Sequence, residues 1–249
     1  AESAIRRLLT SERKDLRAAT AAALLAASDD QGAFLTPGLE PLWVSAIAQL
    51  ELPMKFHLYG DHEFFDKLLV RAPNTYEEVF IGAMRRSSTS DIFHVLDAFD
   101  HSGYKLDIDA KTRILEACPD DSARRRVFWA LNGGDSKWVA HLLDTHVVDT
   151  EFVLHSANSI GPAIPIHDLA RILVPRGVDP GQIATLIELG THWGERHERI
   201  AGHLEQMKDY AQSPDPSVSS VGRAGIEIFA PQLESARRQH KRMMIRGRH

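Results

Sequence analysis

The chain has 249 residues, of which 43% are hydrophobic and 25% charged, and carries a formal net charge of −5. That balance excludes disorder over most of the length and argues against a wholesale nucleic-acid-binding domain, which would be strongly basic. A single cysteine, Cys118, excludes an internal disulfide and any cysteine-built zinc or iron–sulfur centre. One cysteine also suits a reducing cytoplasm, the expected location. No run is apolar enough to span a membrane, so no membrane partner is expected. One domain over 1–249 is expected, and Ala1 reads either as a processed end or as a boundary within a longer protein.

Ala4, Ile5, Leu8 and Leu9 mark a short amphipathic helix, and the alanine-rich ATAAALLAA run continues the next one, because alanine favours helix and permits tight packing. A turn at Asp29, Asp30, Gln31 and Gly32 and the prolines Pro37, Pro41 and Pro53 leave room for one helix over 42–50. A further helix is expected over 56–71, with Phe64, Phe65, Leu68 and Leu69 on its buried side. Asn74 is placed as the cap of a helix carrying Tyr76, Val79, Phe80 and Met84, and Asp91 as the cap of one carrying Ile92, Val95, Leu96 and Phe99. The same periodicity recurs at Ile114, Leu115 and Cys118, at Val127 and Leu131, and at Trp138, Val139, Leu142 and Leu143.

In the second half, Leu169, Ile172 and Leu173 lead into a Pro175-Arg176-Gly177 turn, and Ile183, Leu186 and Ile187 follow Asp179-Pro180. A longer helix is marked by Trp193, Ile200, Leu204, Met207 and Tyr210. Strand-like alternation is nearly absent; 145–152 comes nearest to it. The stretch 213–233 is the most informative. Asp215 reads as a helix cap and Pro216 as the first helical residue, since proline lacks the N–H that would go unpaired there. Val218, Val221, Gly222, Gly225, Ile226 and Phe229 then share one face. Two glycines on that face let another backbone approach closely.

This last pattern resembles the HEAT-like helical repeats, whose second helix starts with Asp-Pro and carries apolar, small and apolar residues at four-residue steps, here Val218, Gly222 and Ile226. The family's Arg after the first of these is replaced by Ser219. Leu16, Arg17, Thr20 and Leu24 fit the same spacing with the Arg present, as do Ala123, Arg124, Val127 and Leu131; Phe152, Ser156 and Ile160 fit it without the Arg. The resemblance implies an all-α fold, a right-handed α-solenoid of antiparallel helix pairs with irregular repeats, and a scaffold or sensor that binds a protein or peptide partner without catalysing a reaction. Such a module would belong to a larger bacterial regulatory or defence protein.

Candidate chemistry is sparse, and no cofactor or metal is expected. His192, Glu195, His197, Glu198 and His203 form the densest group of ligand-type side chains, read first as a solvated helical surface. Two His-Glu dipeptides, His62-Glu63 and His197-Glu198, are similar to those of helical-repeat di-iron hydroxylases but lack the symmetric set that family needs. Asp97, Asp100, Asp107 and Asp109 lack the spacing of a calcium loop and read as a solvated turn. Gly133-Gly134 reads as a helix end, and Cys118 as a structural thiol on an apolar face.

Cations concentrate at the C-terminus, in Arg237, Arg238, Lys241 and Arg242, with a smaller group at Arg125 and Arg126; these are the expected partner-binding residues. Nucleic acid is a second class of partner for the C-terminal segment. A second function reading is a nucleic-acid-binding protein similar to HEAT-like DNA glycosylases, with Trp43, Trp129, Trp138 and Trp193 as stacking residues. The third is a helical metal-dependent enzyme using His192, Glu195, His197 and His203.

Overall fold

A computed structural model describes residues 2–27, 39–48, 69–70, 73–86, 105–189 and 195–246. All regular structure among these residues is helical, and none of them forms a strand. The chain divides into two compact units, Ala1–Leu131 and Asn132–His249. The expected helices over 56–71 and at Ile92 to Phe99, together with the turn at Asp29 to Gly32, fall wholly or mainly outside the described residues.

The first unit contains α1 (Glu2–Leu9), α2 (Lys14–Ala27), α3 (Glu40–Ala48), α4 (Pro73–Arg86), α5 (Ile108–Glu116) and α6 (Asp121–Asn132). Among the described residues each helix from α1 to α5 packs on the next described one, and α1 also meets α3. Trp43 on α3 is 1% exposed, and its indole N–H donates to the Ala21 carbonyl of α2 at 3.0 Å. A buried indole needs such an acceptor, and this one fixes α3 against α2. Arg113 of α5 forks onto the Glu77 carboxylate of α4, with Nη2 2.8 Å from Oε2. Helix α4 begins at Pro73, so Asn74 lies within its first turn and not at its cap.

The second unit contains α7 (Ser136–Asp144), α8 (Thr150–Ile160), α9 (Ile166–Leu173) with a 3-10 turn Val174–Arg176, α10 (Pro180–Thr185) with a 3-10 turn Leu186–Leu189, α11 (Arg196–Ala211) and α12 (Pro216–Arg246). Aspartates start many of the helices of both units. Asp107, Asp135 and Asp149 accept from the N–H of the third residue onward, Ala110, Trp138 and Phe152, at 2.7, 3.1 and 2.7 Å. Each such cap stabilises its helix by about 1 kcal/mol. Asp107 is therefore a cap, and Asp109 lies in the turn it starts. Asp179 caps α10 through Gly181 and Gln182, with Pro180 at the first position as its Asp-Pro pair implies.

The structure departs from the sequence pattern at two further places. The strand-like stretch 145–152 is a turn followed by the start of α8. Val147 and Val148 return their N–H groups to the Leu142 carbonyl at 3.0 and 3.3 Å, so their hydrogen bonds are met locally and no strand partner is required. In the Phe152, Ser156, Ile160 set, Ser156 is buried but Ile160 is 40% exposed, so α8 does not bury the third residue of the repeat spacing.

The most extensive contact in this unit joins α11 to α12. A Cβ at Gly222 would stand 2.6 Å from the Tyr210 carbonyl carbon and 2.7 Å from the Ala211 Cα, closer than real side-chain carbons come, and nearer still to the Ala211 nitrogen. At Gly225 a Cβ would overlap Met207, whose side chain is fully buried. Only a residue without a side chain admits this approach. In an isolated helix Gly→Ala would stabilise by about 1 kcal/mol. Gly222→Ala is predicted to do the reverse and lower stability by about 1–3 kcal/mol through overpacking. Gly202→Ala, on the exposed side of α11 with nothing within 4 Å of its would-be Cβ, is predicted to stabilise. Urea unfolding of the two variants checks the opposite signs.

Candidate functional site

The α11–α12 seam determines which side chains meet at its far end. Asp215 caps α12, accepting from Ser217 and Val218 at 2.9 and 3.3 Å, and Arg171 of α9 holds the same carboxylate at 3.1 Å. Burial opposes ionisation of Asp215, yet these donors outweigh it and keep its pKa below the ordinary value. From that start the register runs antiparallel. Ser219 donates to the Ala211 carbonyl at 3.0 Å, Gly222 lies against Ala211, Gly225 against Met207, and Phe229 meets the edge of His203 at 5.6 Å. Leu233 and Ala236 continue the buried stripe.

The next position of that stripe is His240. Its Nδ1 stands 2.7 Å from Glu195 Oε2, at the start of α11, and His197 Nδ1 is 3.4 Å from the same oxygen. The two imidazoles lie 4.6 Å apart, centroid to centroid. Among the described residues, Glu195, His197 and His240 form a group of three ligand-type side chains whose donor atoms all fall within 4.8 Å of one another. Glu195 is exposed and the two histidines half-buried, so the group opens to solvent.

The set expected from sequence is thus divided. Glu195 and His197 belong to the cluster, whereas His203 turns to the seam and packs on Phe229. Glu198 is committed to the helix start, where its Oε2 accepts the Glu195 N–H at 3.3 Å. His192 and Trp193 lie outside the described residues, as does His62-Glu63. Sequence reasoning missed His240, although the steps Phe229, Leu233, Ala236, His240 place it on the buried face by spacing alone.

The C-terminal cations occupy another side of α12. At about 100° per residue, Arg237, Arg238, Lys241 and Arg242 spread over an arc that excludes the Leu233–Ala236–His240 stripe. All four are exposed. Arg237 pairs with Glu234 at 3.7 Å and Arg238 donates to the Glu234 carbonyl at 3.3 Å. Lys241 and Arg242 form no ion pair or hydrogen bond among the described residues. Arg125 and Arg126 are half-buried on α6 of the first unit, and Arg124 beside them lies 3.8 Å from Asp121.

No family model matches this chain, and no curated protein or solved structure matches it either. The HEAT-like spacing therefore stands on this chain's own residues.

The remaining candidates divide by burial. Trp43 and Trp138 are core residues at 1% and 0% exposure, while Trp129 is 45% exposed. A buried indole is not available to stack on a base. Asp97 and Asp100 lie outside the described residues. Cys118 is half-buried and its thiol donates to the Ile114 carbonyl at 3.6 Å. Burial pushes the thiol up from 9.0 to about 12, Asp120 adding to the shift and Arg124 opposing it. Because the folded state holds the proton more tightly than the unfolded chain, the stability this provides is complete below pH 9 and is lost as pH rises from 9 towards 12. A thiol so placed is a poor nucleophile. Cys118 is predicted to react with an aromatic disulfide reagent at about pH 8 many-fold more slowly in the folded chain than in urea. Equal rates in the two states would contradict the burial.

Proposed function

We propose that this chain is a non-catalytic interaction module, a HEAT-like right-handed α-solenoid of antiparallel helix pairs, which binds an acidic protein or peptide partner in the cytoplasm. The carrying observation is the cationic end of α12, where Lys241 and Arg242 are exposed with no partner among the described residues. Helix α12 has 31 residues and α11 has 16, and the start of α11 reaches only the level of His240. Lys241, Arg242 and Met243, which is 66% exposed, follow the level at which α11 begins. A helix end that carries unneutralised cations presents them to solvent, which favours electrostatic capture of an acidic surface. In a chain whose net charge is −5 this is a local feature and not a general property.

The packing supports the repeat reading. Described helices of the first unit pack on the next described helix, and Gly222 stands where the repeat spacing calls for a small residue. The nucleic-acid reading loses two of its stacking residues, because Trp43 and Trp138 are in the core.

The test is an array of acidic peptides probed with the full chain and with the triple charge reversal Arg238→Glu, Lys241→Glu, Arg242→Glu. A subset of peptides is predicted to bind the parent at low salt and to bind the variant at least about tenfold more weakly, with the parent's affinity falling as salt rises. Equal binding by the two chains would refute the proposal. Tighter, salt-sensitive binding to DNA than to any peptide would favour the nucleic-acid reading.

A further inference from the structure

The cluster at the far end of the seam carries an inference independent of the partner reading. We propose that Glu195, His197 and His240 bind a divalent ion of the late first-row transition series, zinc being the test case, in a site that leaves at least one position for water or another ligand. Two imidazole nitrogens and one carboxylate oxygen are the donor types that zinc accepts in sites with three protein ligands.

The spacing fits. Bonds of about 2.1 Å in a tetrahedron put neighbouring donors roughly 3.4 Å apart. His197 Nδ1 and Glu195 Oε2 already stand 3.4 Å apart. The 2.7 Å between His240 Nδ1 and the same oxygen is a hydrogen-bond length, which opens when the ion replaces the shared proton. The donors as a group lie within 4.8 Å, so side-chain rotation of about 1 Å or less closes the set around an ion. The Glu195 side chain is 58% exposed and also answers the Glu198 backbone N–H in a capping box, so it is the residue that turns to close the set.

The backbone positions are fixed from elsewhere. Glu195 and His197 sit at the start of α11, a helix start held by the Glu195 N–H to Glu198 bond, and His240 reaches them through the glycine seam. A dication at this point is balanced by the Glu195 carboxylate and opposed by Arg196 and Lys241, the residues that follow Glu195 and His240 in the chain. Those cations favour an anionic group, such as a carboxylate, in the remaining coordination position. Bound there, the ion would tie the last turns of α12 to the first turn of α11, where the packing of the seam ends.

Equilibrium dialysis and calorimetry of the untagged full chain against zinc chloride, with magnesium chloride as the control ion, provide the test. One zinc per chain is expected, with no magnesium uptake. His240→Ala and His197→Ala are each expected to weaken zinc binding at least about 100-fold, beyond the loss from disturbing an outer partner alone. His155→Ala, an exposed histidine on α8, is expected to bind as the parent does. Zinc should also raise the unfolding temperature of the parent and of His155→Ala, and not of the two ligand variants. Should either ligand variant fail to fold, cobalt(II) bound to the parent decides: visible bands of a four- or five-coordinate ion with nitrogen ligands support the site, and the pale spectrum of the hydrated ion overturns it. Zinc binding that is unchanged in His197→Ala and His240→Ala, or no stronger than magnesium binding, overturns it as well.

Discussion

Two glycines facing a neighbouring helix set the geometry on which the second unit depends. At Gly222 the α12 backbone comes so near Ala211 and Tyr210 that no side-chain carbon fits between them, and at Gly225 the space is filled by Met207. Close backbone approach increases dispersion contact along the whole seam, which offsets the weaker helix propensity of glycine. It also fixes the register. Once Gly222 lies on Ala211, the later positions of the stripe follow at three- and four-residue steps: Phe229 meets His203, and His240 meets Glu195. The histidine–carboxylate cluster is therefore a geometric consequence of packing some five turns earlier, at about 3.6 residues per turn.

The first unit relies on different devices. Its described helices are joined by a buried indole hydrogen bond, Trp43 to Ala21, and by a forked arginine–carboxylate pair, Arg113 to Glu77. Both reach between elements far apart in sequence, over 22 and 36 residues. A hydrogen bond made by a buried donor specifies one arrangement, because the alternative is an unsatisfied N–H. The second unit has a more exposed bond at the root of α12, where Arg171 of α9 meets the capping Asp215. The same carboxylate that starts the helix thus also fastens it to a third element.

Much of the fold was legible in the sequence, and the reasons are local. Asp-Pro at 179–180 and at 215–216 marked two helix starts because the side-chain acceptor and the ring constraint act within one turn. Gly222 and Gly225 marked a close approach because glycine weakens a helix, and on a buried face the loss is offset only when a neighbouring backbone or side chain fills the space a Cβ would take. Stretch 145–152 misled because its β-branched residues fit a strand, while the Asp149 cap and the bonds from Val147 and Val148 to Leu142 are settled by backbone geometry that composition does not record. Of the candidate site, Glu195 and His197 were visible as neighbours in sequence. His240 was not, since its place beside them depends on a tertiary register; only the buried stripe of α12, followed to its end, points to it. His203 was grouped with them by proximity in sequence, yet six residues along a helix turn it to another side, where Phe229 receives it.

Helix α12 is packed along the buried stripe from Val218 to Ala236, and Lys241 and Arg242 follow the level of Glu195 at the start of α11. Residue-resolved amide hydrogen exchange of the native chain measures this directly. Amides from Val221 to Ala236, Pro231 having none, are predicted to exchange only with global unfolding of their unit, while those after Lys241 exchange by local opening at far lower free energy. Weak protection around Gly222 and Gly225, or protection that continues undiminished to Arg246, would contradict it.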